Sequence, residues 1–172
     1  MGVARSNHRQ QGAAPGGNRA SAQPPANGTP KPLDSMPLKF TIASELSQGR
    51  EVQSRILENV HHCGYDEPST FAIKLALEEA MINAIKHGNK LDPHKSVHVE
   101  ANISPRRAVI VVEDEGPGFE RTSVPDPTMD ENLCKCSGRG ILLMESYMNS
   151  VKWTKKGRRV RMVRINQRHL KA

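Results

Sequence analysis

Residues 78–89 read Glu78-Glu79-Ala80-Met81-Ile82-Asn83-Ala84-Ile85-Lys86-His87-Gly88-Asn89, and within them Glu79, Asn83 and His87 recur at every fourth position. On a helix that spacing puts the three side chains on one narrow stripe. The stripe belongs to a longer helix expected from about Pro68 to Gly88, with the proline in its first turn. Its apolar residues form a main row of Ile73, Leu77, Ala80, Met81 and Ala84, and a second row of Phe71, Leu75 and Ile82. A helix apolar on more than one side is largely buried, and charged or amide side chains on it are costly unless something polar meets them. Taken alone, the same residues also fit a solvent-facing helix edge. The neighbouring segments decide between the two.

Upstream, Leu38-Lys39-Phe40-Thr41-Ile42 alternates apolar and polar residues, the period-two pattern of a half-buried strand. Ser44 then stands where an N-cap is expected, before a helix carrying Val52, Ile56 and Val60 and ending at Gly64. Downstream, residues 96–104 (Val97, Val99, Ala101 and Ile103 on one face) and 108–112 read as strands joined at Pro105-Arg106-Arg107. Residues 119–137 form a long loop, and a loop of that length inside a compact domain is usually functional, often a lid. A third helix follows Gly138, and Val151–Trp153 with Arg159–Ile165 closes the domain as a hairpin across Lys155-Lys156-Gly157. The order β-α-α-β-β-lid-α-β-β implies an α+β two-layer sandwich.

Residues 1–37 are rich in Gly, Pro, Ala, Gln, Ser and Asn and nearly empty of large apolar residues. Such a segment buries too little surface to offset the entropy of ordering, so it is expected to be a disordered tail. The folded domain is expected over 38–168, with 169–172 as a C-terminal end. The net charge of +7 is unevenly spread: +3 over residues 1–37, −5 over 38–151 and +9 over 152–172. The basic strip suits nucleic acid, an acidic protein or phosphate as well as a solvated sheet face. It carries one aromatic residue, Trp153, and no pattern for stacking bases, which argues against direct nucleic-acid binding. No apolar run approaches the roughly 18 residues of a membrane span. The N-terminus lacks a secretory h-region, and three cysteines cannot build a disulfide framework, so a cytoplasmic location is expected.

Two glycine turns complete the candidate chemistry. A buried strand runs into Asp114-Glu115-Gly116-Pro117-Gly118, where the glycines permit sharp turning and close backbone approach. An Asp at a strand end can accept a hydrogen bond from an exocyclic amine such as that of adenine. Ser137-Gly138-Arg139-Gly140 enters a helix, where unpaired N–H groups and the positive end of the dipole suit phosphate.

In this order the three segments resemble the GHKL (Bergerat-fold) ATPases, and within them the anti-sigma-factor serine kinases of the RsbW and SpoIIAB type. The resemblance covers residues 38–166. The helix box Glu-x-x-x-Asn is matched by Glu79 and Asn83, with His87-Gly88 after it. The first glycine box is matched by Asp114, Gly116 and Gly118, the second by Gly138 and Gly140. The resemblance implies a mixed, mainly antiparallel sheet with helices on one face and a site for ATP and Mg²⁺. It implies Asn83 as a magnesium ligand, Asp114 as the adenine selector, and Ser137, Gly138, Arg139 and Gly140 around the phosphates. Glu79 becomes the general base for an attacking hydroxyl.

The activity implied is phosphorylation of a STAS-type anti-anti-sigma protein by a kinase that also sequesters a sigma factor; homodimerisation stays open. The alternative within the same fold is an ATP-dependent binding switch without effective phosphoryl transfer. The chain departs from the family pattern at Cys136, where a basic residue often precedes the second glycine box, and at Arg159, where a Thr often lies near adenine.

Overall fold

A computed structural model describes residues 37–118 and 139–170 of the 172-residue chain. The expected tail over 1–37 therefore lies outside the described residues, apart from residue 37, as do the loop over 119–137, Ser137, Gly138 and the last two residues of the C-terminal end. The described elements run β1 (Leu38–Ala43), α1 (Leu46–His62), α2 (Glu67–Ile82), a π-helical turn (Asn83–Gly88), β2 (Ser96–Ile103), β3 (Arg107–Asp114), α3 (Arg139–Tyr147), β4 (Ser150–Thr154) and β5 (Arg159–Ile165). The five strands form one sheet in the order β1-β2-β3-β5-β4, and all four pairings are antiparallel, where the resemblance allowed a mixed sheet.

Strand alternation makes the two layers. On β2 the inward residues Val97, Val99, Ala101 and Ile103 are buried, as are Ala108, Ile110 and Val112 on β3 and Val160 and Met162 on β5. These meet Val52, Ile56 and Val60 of α1, Ile73, Leu77, Ala80 and Met81 of α2, and Met144 of α3. Burying the Val, Leu, Ile and Met side chains among these is the main stabilising term, about 1.5–3 kcal/mol each. The fold is α+β with the helices packed on one face of the sheet, as expected.

Three local readings are corrected. Ser44 is no N-cap: Glu45 stands at that position, without a side-chain cap bond. Tertiary structure has claimed the Ser44 hydroxyl instead, which donates to the Lys95 carbonyl at 2.8 Å. The helix expected from about Pro68 to Gly88 does reach Gly88, but it is α-helical only to Ile82 and finishes as the π-helical turn. Pro68 stands in its first turn as expected, and the cap, which the sequence reading did not assign, is Asp66, its carboxylate accepting from the Ser69 N–H at 2.9 Å. The second apolar row is not buried throughout, since Phe71 is 55% exposed and packs edge-on against Tyr147.

Candidate functional site

A cavity of about 430 Å³ opens between the C-terminal half of α2 with its π-helical turn, the end of β3, the start of α3 and the β4–β5 hairpin. That volume lies within the range of small-molecule and cofactor sites. Glu79, Asn83 and His87 all line it, so the stripe they form faces the cavity. The wider π-helical turn begins at Asn83 itself; such turns concentrate at functional sites because they re-aim side chains without ending the helix.

Each end of the stripe meets a different part of the chain. The Cα of Gly140, in the first turn of α3, lies so close to Glu79 that any Cβ there would collide with the Glu79 carboxylate. The Cα of Gly88 is pressed in the same way against the Asp114 carboxyl group. Glu79 and Gly88 are nine residues apart, about two helical turns, on one continuous helical segment. The cavity therefore has an elongated wall, with the amino end of α3 at one end and Asp114 at the other.

The electrostatics differ along that wall. Burial pushes the Glu79 carboxyl up from the ordinary glutamate range, and the neighbouring Glu78 adds to this while His87 opposes it. Burial likewise raises Asp114, which is only 8% exposed; the Gly116 N–H that donates to its Oδ1 at 2.8 Å and the nearby Arg158 charge oppose the rise. Asn83 contributes a buried Nδ2 that finds no hydrogen-bond partner among the described residues. An unmet amide in a cavity wall costs free energy that a polar ligand would recover. Amide nitrogen and oxygen are exchanged by a half-turn of the group, so Asn83 is equally able to present its oxygen.

Of the sequence-derived site residues, the cavity brings together Glu79, Asn83, Asp114, Gly118 and Gly140. Gly116 and Arg139 are not in its lining, and Ser137 and Gly138 lie outside the described residues. The first-box glycines answer to the protein itself: a Cβ on Gly116 would strike the Gly88 carbonyl, and Gly118, at φ +83°, sits against the Lys156 carbonyl. Sequence reasoning missed the hairpin wall, where Trp153, Gly157, Arg158 and Val160 line the cavity. It placed Arg159 near the ligand. Arg159 instead points to the opposite face of the sheet, where it and Lys155 bind Glu113, the arginine Nη1 at 2.7 Å from Oε2. Burial alone would raise the Glu113 carboxyl, but these two bonds hold it below the usual range. Strand pairing contained the signal: Arg159 is registered opposite Glu113, and Val160 opposite the inward Val112.

Residues 42–164 match the family described as the histidine kinase-like ATPase domain. An anti-sigma F factor of Clostridium perfringens is 40% identical over 82 residues, covering 46% of this chain and 58% of that protein. The serine-protein kinase RsbW of Bacillus subtilis is 29% identical over 97 residues, covering 52% of this chain and 59% of its own length. The matches thus span under two thirds of these relatives. A crystal structure of the RsbU and RsbW domains of a Mycobacterium tuberculosis protein superposes with a TM-score of 0.54 at 18% identity, covering 76% of this chain and 33% of that one; this likeness concerns the fold.

Proposed function

The chain belongs to the histidine kinase-like ATPase domain family, and from that footing we propose that it is an ATP-dependent protein serine/threonine kinase acting as an anti-sigma factor. Its acceptor is a STAS-type anti-anti-sigma protein, its second partner a sigma factor, and its location cytoplasmic. The observation that carries the reading is the shared wall of Glu79 and Asn83, with the amino end of α3 pressed against the Glu79 carboxylate.

Adenine is assigned to the Asp114 end, where the carboxylate accepts from the exocyclic amino group between Val112 and Val160. The phosphates run along the wall toward α3, where first-turn N–H groups and the helix dipole favour negative charge. Asn83 supplies a side-chain oxygen to Mg²⁺, which binds through a few protein oxygens together with phosphates and water. When bound, Mg²⁺ would supply charge neutralisation at the phosphates, and Asn83 is the described side chain that would hold it. Glu79 takes the proton from the incoming serine or threonine hydroxyl, and its raised proton affinity brings it nearer the operating pH than an ordinary glutamate. The departure at Cys136, where the family often carries a basic residue, favours one second reading, a binding switch with weak phosphate contacts.

The test is transfer of label from γ-labelled ATP, with Mg²⁺, to partner proteins co-purified with the chain from its native cell. Labelled serine or threonine on a partner is the expected result. Bound ATP with no labelled partner transfers the assignment to the switch.

A further inference from the structure

We infer that Asn89, which does not line the cavity, sets the nucleobase selectivity of the site by fixing the turn that carries Asp114 against the end of the π-helical turn. The inference rests on the reading of the cavity as a nucleotide site.

Asn89 is fully buried, a costly place for an amide unless its bonds are made. All of them point across the chain. Its Nδ2 donates to the Ser44 hydroxyl and to the Ser96 carbonyl, each at 2.9 Å, and its Oδ1 accepts from the Glu115 N–H at 2.8 Å. Its own backbone N–H closes the π-helical turn onto the Ala84 carbonyl at 2.8 Å. The Ser96 carbonyl can only accept and the Glu115 N–H can only donate, so the amide fits in one orientation alone. Neither a carboxylate nor an apolar side chain of similar size meets that pattern.

The consequence reaches Asp114 from two sides. Residue 115 is fixed by Asn89, and the Glu115 carboxylate in turn accepts from the Ser96 N–H at 2.8 Å. The Asp114 carboxyl group itself lies on the Cα of Gly88, immediately before Asn89, while the Gly88 carbonyl abuts Gly116. Residues 88–89 and 114–116 are therefore locked as one unit. The segment after Asn89 shows the same constraint: Lys90 and Leu91 adopt left-handed φ angles of 56° and 58° although neither is glycine, and Leu91 is 54% exposed, so burial of its side chain does not impose the geometry. Such conformations persist where surrounding bonds over-determine them. A carboxylate that must meet one exocyclic amine needs placement to within about 0.5 Å, which its supporting residues provide.

Calorimetric titration of the full chain with Mg-ATP and with Mg-GTP, in wild type, Asn89→Ala and Ser44→Ala, tests this. Wild type is expected to prefer ATP. Asn89→Ala should reduce that preference about tenfold to a hundredfold, the scale of a misplacement of about 1 Å, while the gain in affinity from Mg²⁺ is kept. Ser44→Ala removes a buried bond from the same cluster without touching Glu115, so it should lower the melting temperature yet keep the preference. A folded Asn89→Ala with the wild-type preference overturns the inference, and so does an equal loss in Ser44→Ala. Should Asn89→Ala not fold, amide exchange in wild type decides: the Glu115 N–H is expected to exchange slowly, and free exchange overturns the inference. A wild type that binds neither nucleotide removes the nucleotide reading itself.

Discussion

The Cα of Gly140 rests on the carboxylate of Glu79, so the helix α3 that enters the cavity and the acid on the α2 wall are positioned by one contact. The obstacle a Cβ would meet there is the far end of a flexible side chain. The obstacle at Gly116 is a backbone carbonyl, that of Gly88.

The two glycines should therefore respond differently to alanine. Gly140→Ala is expected to displace Glu79, slowing phosphate transfer while changing stability by less than about 1 kcal/mol, since only a side-chain tip must yield. Gly116→Ala forces backbone to move and should destabilise by about 1–3 kcal/mol. Chemical denaturation of both variants, with transfer rates measured alongside, checks the contrast.

Asp114→Asn should separate stability from recognition. Burial raises the folded-state pKa of Asp114 above its unfolded value, so the ionised group opposes folding. That cost is absent below the unfolded pKa and complete once pH has risen above the folded one. The amide oxygen of the substituted side chain still accepts from the Gly116 N–H, so the variant's stability relative to wild type should increase as pH rises through this window, while ATP binding weakens. Thermal melts against pH, paired with ATP titrations, provide the measurement. A variant that gains nothing with pH would remove buried charge as the cause.

Arg159→Ala should leave ATP affinity within about twofold of wild type, because the guanidinium is bound to Glu113 on the other face of the sheet. Losing this partly exposed ion pair should cost about 0.2–1 kcal/mol. Arg158 faces the cavity near Asp114, so Arg158→Ala should change nucleotide affinity where Arg159→Ala does not. Parallel titrations of the two variants distinguish them.

Where periodicity governs structure, the sequence was readable. The Val52, Ile56, Val60 spacing and the alternation Val97, Val99, Ala101, Ile103 each point one face to the core, and the structure buries all seven. Glu79, Asn83 and Asp114 were legible because a polar stripe on an apolar helix and an acid at a strand end stand out locally, and the structure brings them to one cavity. What stayed hidden depends on partners distant in the chain. Arg158 meets the cavity through the pairing of β3 with β5, and one residue of register separates it from Arg159. Ser44 gave up a capping role for bonds to Lys95 and Asn89, residues more than forty positions away. Asn89 stands just past the expected helix end at Gly88 and carries no local signal; only the folded chain gathers Ser44, Ser96 and Glu115 around it.

The most direct test of the central claim is single-turnover transfer of labelled phosphate to the co-purified acceptor by wild type and Glu79→Gln, with ATP affinity measured in parallel. Glutamine keeps the size and helix propensity of Glu79 but cannot take a proton, so ATP binding should persist while transfer falls by about 10²–10⁴-fold, the usual contribution of a positioned general base. Because burial raises the Glu79 carboxyl, the wild-type rate should rise with pH through a limb lying above the ordinary glutamate range, and the variant should lack that limb. Transfer by Glu79→Gln at the wild-type rate, with the same pH profile, would contradict the account.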